Sequence, residues 1–249
     1  MGTEENEKKI AWVFGGSSDI GMCIIASLRH KGYEINFTWN SNKQSAEEIC
    51  NRYQDIKAHK LDLGCEQEVD DFCEKHLNES ICLFVYCAGI NNATFCDELQ
   101  APYLEKIVRI NYTSAAKIFN KAAWYAKRNK YLARRFIFIS SVASTKVNVG
   151  NTLYGSTKLA MERYLVGLAS ELARFNVKTL CISPGFVRTK MVDKYCEDKG
   201  ISINELIKRI PTREFLQVED VANVVVAFAS GQINTTGSEI SLGNGERFM

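Results

Sequence analysis

The sequence predicts one doubly wound α/β domain, in which helices cover both faces of a parallel sheet. Short apolar runs typical of strands alternate six times with longer segments of helical pattern. This alternation requires parallel strands with right-handed crossovers, and we expect a seven-stranded sheet of order 3-2-1-4-5-6-7. The chain has 249 residues and is 46% hydrophobic, enough to fill the core of a single domain over residues 1–249.

The first unit is a strand over 10–14, a glycine-rich segment over 15–21 and a helix over 22–30. Glycines let the backbone approach a pyrophosphate, and the start of a helix offers an anion free N–H groups and a positive dipole end. The order of strand, glycine turn and helix therefore predicts a phosphate-binding turn. An ordinary tight turn is the alternative.

The second unit is a strand over 34–39 followed by a helix within 40–53. A dinucleotide fold places an acidic residue about 20 positions beyond the glycines, where it binds the ribose 2′-hydroxyl. Here residues 38–43 read T-W-N-S-N-K. This segment has hydroxyl, amide and ammonium donors and no carboxylate to repel a 2′-phosphate, which favours NADP(H) over NAD(H).

The third unit is a strand over 56–63 and a polar helix over 66–78. Asp62, near the end of this strand, could accept a hydrogen bond from an adenine amine or serve as a helix-capping or turn aspartate. The fourth strand, over 81–87, is almost continuously apolar, as expected for a central strand buried on both faces. Ala88 and Gly89 follow it and leave room for a flat ligand.

A long helical pattern over 102–129 contains Asn111 among apolar neighbours. An asparagine in a helix is usually a tolerated polar residue. The alternative is a local kink that frees a backbone carbonyl for water.

A strand over 136–139 delivers Ser140 and Ser141, and a helix over 152–175 then carries Tyr154 and Lys158. Residues four apart on a helix share a face, about 5–6 Å between Cβ atoms. Moving a phenol pKa from about 10 to neutrality needs roughly 4 kcal/mol, which a nearby ammonium can supply. Ser141 could then hold a carbonyl oxygen while Tyr154 protonates it. A solvated tyrosine–lysine pair is the alternative.

The last part of the chain begins with a strand over 177–183 and a Pro184-Gly185 turn, at the edge where open α/β sheets hold ligands. Residues 190–211 are charged, with one short helical pattern, and are predicted to form a mobile flap over a substrate. A helix over 218–230 and a strand over 239–242 follow.

Net charge and residue content indicate which partners, locations and metal sites to expect. The net charge of +2 gives no reason to expect nucleic acid or an anionic membrane as partner. Residues 1–9 resemble neither a signal peptide nor a membrane span, so a cytoplasmic location is expected. The nine cysteines include no C-x-x-C pair, and those in apolar runs, such as Cys82 and Cys87, are predicted to be buried free thiols. The three histidines are assigned to the surface, and no metal is expected.

Together these motifs resemble the short-chain dehydrogenase/reductase family over about 9–249, most closely its 3-oxoacyl-[acyl-carrier-protein] reductase type. Gly15 and Gly21 match the family's T-G-x-x-x-G-x-G segment. Ser141, Tyr154 and Lys158 match its catalytic serine and Y-x-x-x-K, with the same 13-residue serine-to-tyrosine interval. Residues 184–189 match the P-G segment that clasps the nicotinamide, and Asp62 matches the adenine-binding acid. Asn111 falls at the position of the fourth catalytic residue, and Trp39 at the position that selects the cofactor.

The resemblance implies a Rossmann fold and hydride transfer between NADP(H) and a carbonyl carbon. Tyr154 would exchange the proton, Lys158 would lower its pKa and bind the nicotinamide ribose, Ser141 would orient the carbonyl, and Asn111 would hold a water in a proton relay. The expected cofactor-binding residues are Gly15, Ser17, Ser18, Asp19, Ile20, Asn40, Ser41, Asp62, Leu63, Ala88, Gly89, Tyr154, Lys158, Pro184, Gly185, Val187 and Thr189.

By resemblance the substrate is a 3-oxoacyl thioester on an acyl carrier protein, as in fatty acid biosynthesis. A ketone of a secondary-metabolite, sugar or steroid pathway is an alternative, as is a non-catalytic NADP(H)-binding relative. A homodimer or homotetramer through the helices at 102–129 and 152–175 is also implied. A cluster of basic residues could contact the acidic carrier protein or simply form a solvated face. These residues are Arg128, Lys130, Arg134 and Arg135.

The chain also departs from the family pattern. Phe14 replaces the leading threonine and Asp19 the middle glycine, so the turn is expected to be less open. Tyr86-Cys87 replaces an asparagine pair, which removes an amide that would tie neighbouring strands. Leu180 stands where many members have asparagine. None of these departures touches the four expected catalytic positions.

Overall fold

The computed structural model describes residues 9–53 and 55–246. Its strands are β1 (Ile10–Phe14), β2 (Glu34–Trp39), β3 (Ile56–Lys60), β4 (Ile81–Tyr86), β5 (Arg134–Ile139), β6 (Val177–Pro184) and β7 (Ser238–Leu242). All pair in parallel in one seven-stranded sheet of order β3-β2-β1-β4-β5-β6-β7. The predicted fold class and strand order are confirmed.

The helices follow the strands in the predicted alternation. They are α1 (Asp19–Arg29), α2 (Lys43–Arg52), α3 (Glu66–His76), α4 (Ala101–Val108), α5 (Ser114–Arg128), α6 (Thr152–Leu172), α7 (Lys190–Lys199), α8 (Ile203–Ile207) and α9 (Val218–Ala229). One boundary differs clearly from the prediction, because β3 ends at Lys60. The Asp62 carboxylate accepts the Gly64 N–H at 2.8 Å and turns the chain away from the sheet.

Both faces of the sheet are buried against helices. In β1, Trp12 and Phe14 belong to a core with α3, α5 and α6, whereas Ala11 and Val13 belong to a core with α1, α2 and α9. Because successive side chains of a strand point to opposite faces, a strand covered on both sides must be apolar at every position. This explains the continuous apolar runs in the sequence.

A π-helical turn at Arg109–Thr113 separates α4 from α5, so the long helix at 102–129 is interrupted at Asn111, as the kink alternative predicts. The hydroxyl of the buried Tyr86 donates to the Ile110 carbonyl at 2.5 Å. Tyr86 therefore ties β4 to the π-helical turn, a contact different from the strand-to-strand tie expected of the asparagine pair that Tyr86-Cys87 replaces.

Two of the three histidines predicted to lie on the surface, His59 and His76, are only partly exposed. The His59 ring lies 4.9 Å from the Trp12 ring and 4.7 Å from the His76 ring, and all three rings contact Phe72. Burial, followed by the neighbouring His76, lowers the pKa of His59 to about 4. His30 is exposed, as predicted.

The predicted basic surface is wrong for Arg134. Arg134 is 1% exposed, and Arg135 is only partly exposed. Arg128 and Lys130 are exposed, but they lie near the start of β5, at the opposite edge of the sheet from Ser141. The Arg134 guanidinium instead satisfies backbone carbonyls inside the fold, those of Glu79, Asn129 and Leu132.

All nine cysteines are free thiols. Cys82 and Cys87 are free thiols, as predicted, but they are partly rather than fully buried. Among the described residues, no group of three or more histidine, cysteine or acidic side chains is arranged to hold a metal ion, and no helix could span a membrane.

Candidate active site

A cleft opens at the carboxyl ends of β1, β4, β5 and β6, and it has two adjoining parts. The Tyr154 chamber is lined by Gly89, Ser141, Tyr154, Lys158, Pro184, Gly185, Val187 and Thr189, among others. The glycine-loop chamber is lined by Gly15, Ser17, Ser18, Asp19, Ile20, Asn40, Ser41, Asp62, Leu63, Ala88, Gly89 and Thr189, among others. Every expected site residue lines the cleft except Asn111.

Close packing of α6 brings Tyr154 to Ser141. Ser141 begins a 3₁₀ turn at Val142–Ser144, and its hydroxyl accepts the Ala143 N–H at 3.2 Å. A Cβ on Gly155 would lie 2.3 Å from the Ala143 carbonyl oxygen, so only glycine lets α6 approach this turn. The role of Gly155 was not predicted from the sequence. Its signal is a glycine inside a helix, which costs about 1 kcal/mol relative to alanine.

Lys158 is 3% exposed and lies at the floor of the Tyr154 chamber. Its ammonium donates to the Ile139 carbonyl at 2.9 Å and stands 4.7 Å from the Phe138 ring centroid and 5.6 Å from that of Tyr154. Burial lowers the pKa of Lys158 to about 8, against the opposing effects of Cys87, Glu162 and Cys181. The side chain is therefore mainly protonated at neutral pH.

Tyr154 behaves differently from the expectation. Burial raises the pKa of its phenol to about 12, and the hydrogen bond with Ser141 offsets this only in part. The expected pKa near neutrality is not met in this structure, because desolvation of the phenolate is the largest effect. The resting site therefore holds a protonated phenol beside a serine hydroxyl, an arrangement that can donate a proton to an oxygen.

Asn111 is fully buried behind the cleft wall. Its side chain accepts the Ile90 N–H at 2.9 Å and donates to the Ile90 carbonyl at 3.0 Å and to the Thr157 hydroxyl at 3.2 Å. A Cβ on Gly89 would lie 3.1 Å from the Lys158 ammonium and 3.5 Å from the Asn111 amide oxygen. Asn111 thus fixes the backbone that follows β4, beside Lys158.

The glycine segment fits an anionic ligand. Gly15 has φ +82°, and a Cβ there would lie 2.7 Å from the Ala88 backbone; one on Gly21 would lie 2.5 Å from the Gly15 carbonyl oxygen. The Ser18 hydroxyl caps α1 by accepting the Gly21 N–H at 3.1 Å. These contacts turn the start of α1, with its positive dipole end, toward the chamber.

The far end of the glycine-loop chamber carries the segment 38–43. Asn40 and Ser41 line the chamber, and Asn42 caps α2 by accepting the Ser45 N–H at 3.2 Å. Asp62 also lines this end, and its bond to Gly64 favours the turn alternative. The segment contributes no carboxylate here, as the sequence predicts.

Comparison with known proteins agrees with this arrangement. The family model described as enoyl-(acyl carrier protein) reductase matches residues 15–245. The chain belongs to the short-chain dehydrogenase/reductase family.

Relatives in this family match over nearly their whole length. The 3-oxoacyl-[acyl-carrier-protein] reductase of Aquifex aeolicus is 29% identical over 247 residues, which are 96% of this chain and 97% of that protein. The acetoacetyl-CoA reductase of Shinella zoogloeoides is 26% identical over 247 residues, covering 97% and 99%. A solved gluconate 5-dehydrogenase from Burkholderia cenocepacia in complex with NADP and tartrate has TM-score 0.82 at 20% identity, covering 96% of this chain and 94% of that chain.

In this short-chain dehydrogenase/reductase the predicted flap over 190–211 is built mainly from α7 and α8, which share a small core with Phe186 and Phe215. Met191, Val192 and Tyr195 of α7 line the Tyr154 chamber. The Asp19 carboxylate accepts the Lys190 N–H at 2.7 Å. The residue that replaces the family glycine therefore joins the glycine segment to the first residue of α7.

Two buried carboxylates near the family's serine, tyrosine and lysine were missed from the sequence. Glu246 is 1% exposed, lines the Tyr154 chamber and accepts the N–H groups of Phe186 at 3.2 Å and Asn244 at 2.5 Å. Nothing in its local sequence signals this position. Glu162 lies on α6, four residues after Lys158 and hence on the same face, which is a signal that the sequence does contain.

Proposed function

We propose that the protein is an NADP(H)-dependent oxidoreductase that transfers hydride between the nicotinamide and a ketone or secondary alcohol, with a 3-oxoacyl thioester as substrate. The observation that carries the proposal is the meeting of a phenol, a serine hydroxyl and an ammonium in one chamber, at Tyr154, Ser141 and Lys158. That chamber continues into a second one whose glycines and helix start suit a pyrophosphate.

The glycine-loop chamber supports the choice of cofactor. Gly15, Ser17 and Ser18 at the start of α1 would hold the pyrophosphate, and Asn40 and Ser41 would meet a 2′-phosphate without an opposing carboxylate. Solved structures of similar fold are described with bound NADP or NADPH. When bound, the nicotinamide supplies or accepts the hydride.

The residues of the Tyr154 chamber would manage the proton. The Ser141 hydroxyl donates a hydrogen bond to the carbonyl oxygen and polarises it. Tyr154 gives its phenolic proton to that oxygen as hydride arrives at carbon. The Lys158 ammonium, held by the Ile139 carbonyl, stabilises the phenolate that remains. Asn111 fixes the backbone at Ile90 and, we propose, orders a water that returns a proton toward Lys158.

The lining of the Tyr154 chamber supports an acyl substrate. Its wall is mainly apolar and would accommodate a hydrocarbon chain. The apolar side chains of this wall are those of Val142, Ala143, Phe186, Val187, Met191, Val192 and Tyr195. The relatives include proteins named as 3-oxoacyl-[acyl-carrier-protein] and acetoacetyl-CoA reductases. We accordingly propose that an acyl carrier protein delivers the substrate. Its binding surface would not include Arg134, because this residue is buried.

Purified protein tests the proposal through NADPH consumption, with NADH in parallel. We expect oxidation with an acetoacetyl thioester, and its loss in a Tyr154→Phe variant that keeps NADPH binding. A crotonyl thioester tests the enoyl reduction suggested by the family description, and sugar and steroid ketones test the remaining alternatives. If NADPH binds but none of these substrates oxidises it, the protein is a non-catalytic cofactor-binding relative.

We further propose a cytoplasmic homodimer or homotetramer assembled through α4, α5 and α6. These helices expose large apolar side chains, namely Leu104, Trp124, Leu159 and Val166. Light scattering of the purified protein measures the assembly, and a monomer at micromolar concentration would contradict it.

A further inference from the structure

A buried acidic side chain lies beneath the Tyr154 chamber. Glu162 is 7% exposed, and one of its carboxylate oxygens accepts the hydroxyls of Ser140 at 2.5 Å and Ser183 at 3.0 Å. Tyr154, Lys158 and Glu162 follow one another at intervals of four residues, so all three lie on the face of α6 that meets the sheet.

The two serines connect Glu162 to both walls of the chamber. Ser140 directly precedes Ser141 at the end of β5, and Ser183 directly precedes Pro184 at the end of β6. The Ser140 N–H also donates to the Ile182 carbonyl at 2.7 Å, so the two strand ends are already joined. A single carboxylate thus fastens α6 to the two strands that carry the chamber's reactive serine and its proline–glycine turn.

A buried carboxylate is costly to keep unless donors and an opposite charge compensate for its lost hydration. Two hydroxyls provide the donors here. The buried cation on the same helix face is Lys158, whose ammonium donates to one backbone carbonyl.

We propose that Glu162 is a positioning residue: its carboxylate keeps Lys158 protonated and holds Ser141 and Pro184 in the walls of the Tyr154 chamber. The inference rests on the proposed function, because the protonated Lys158 acts there on the Tyr154 phenolate.

The other titratable groups that face Lys158 do not supply this charge. They are Tyr154 on α6, Cys87 after β4 and Cys181 on β6, and burial raises the pKa of each of the three. They are therefore neutral at neutral pH. Cys87, Glu162 and Cys181 raise the pKa of Lys158 against the effect of burial, and Glu162 is the carboxylate among them. Glu246, the other buried carboxylate of the chamber, is not one of these groups.

The experiment measures the protonation of Lys158 without any turnover. Ligand-free protein is labelled with acetic anhydride between pH 6 and pH 10, and the Lys158 peptide is quantified by mass spectrometry, with the exposed Lys190 as internal reference. In Glu162→Gln, which keeps an oxygen acceptor for the serines but removes the charge, the labelling midpoint of Lys158 should fall by roughly half a unit or more. The conservative Glu162→Asp should restore it, and Lys190 should not move.

An unchanged midpoint in Glu162→Gln would overturn the proposal. If that variant does not fold, the wild-type titration decides, since a Lys158 midpoint below neutral pH would mean that no counter-charge protects the ammonium. Ser183→Ala removes one hydrogen bond and no charge, so its Lys158 midpoint should stay close to that of the wild type. If the Lys158 midpoint shifts in Glu162→Gln but the wild-type protein shows no turnover, only the proposed function is wrong. If the wild-type protein turns over substrate but the midpoint does not shift in Glu162→Gln, only this inference is wrong.

Discussion

Replacing Gly155 by alanine tests how the candidate site is assembled. Gly155 lies in α6 between Tyr154 and Lys158, and an added Cβ would stand 2.3 Å from the Ala143 carbonyl oxygen and 3.3 Å from its carbon. Cβ atoms essentially never approach other atoms within 3.0 Å, so α6 must move away from the turn that Ser141 begins. The Tyr154 and Ser141 hydroxyls then separate.

The magnitude follows from two opposing effects. Overpacking against backbone costs about 1–3 kcal/mol, and replacing a helical glycine by alanine returns about 1 kcal/mol. The net loss of roughly 0–2 kcal/mol should lower the melting temperature by no more than several degrees, at about 2–4 °C per kcal/mol for a chain of this size. The effect on chemistry is larger, because misplacing a reacting group by about 1 Å can cost about 100-fold in rate. We expect kcat to fall by about 10- to 100-fold.

The assay is NADPH-dependent ketone reduction, with melting followed by circular dichroism. Gly167→Ala is the matched control, since Gly167 lies on the same helix and a Cβ there would meet nothing within 4 Å. This control should keep the wild-type kcat and raise the melting temperature slightly. If Gly155→Ala retains both the wild-type kcat and the wild-type melting temperature, the contact between α6 and the turn does not determine the geometry of the site.

Three further predictions concern other parts of the fold. Burial lowers the pKa of His59 to about 4. The free energy of unfolding should therefore fall as pH drops from about 6.5 toward 4. Urea titrations of the His59→Gln variant should show a smaller fall over the same pH range. Tyr86→Phe removes the hydrogen bond to the Ile110 carbonyl and should cost roughly 0.5–1.5 kcal/mol in urea unfolding; an unchanged midpoint would contradict this. Gly15→Ala should abolish NADPH binding measured by fluorescence, whereas Gly32→Ala, equally strained at φ +81° but in open space, should keep it.

The sequence predicts the sheet and the position of the cleft because both depend on local patterns. The apolar run of β4 must be buried on both faces, and the carboxyl ends of parallel strands meet at one edge. Helical spacing alone places Tyr154 and Lys158 on one face. The same rule extends to Glu162, which local pattern could have suggested as part of the site.

Other features depend on partners that are distant along the chain. Arg134 stands at the start of an apolar strand, a common place for an exposed charge, yet it meets a carbonyl 55 positions away, that of Glu79. Glu246 bonds to the Phe186 N–H across 60 positions. Periodicity contains no information on such pairs, so both were outside the reach of sequence reasoning.

The pKa of Tyr154 shows where reasoning from spacing alone fails. The expectation counted the attraction between a phenolate and the Lys158 ammonium, but it omitted the hydration that both charges lose in the same pocket. Burial moves both groups toward their neutral forms, raising the pKa of Tyr154 to about 12 and lowering that of Lys158 to about 8. At neutral pH the site therefore already carries the phenolic proton that reduction of a carbonyl consumes. Oxidation of an alcohol would first require removal of that proton.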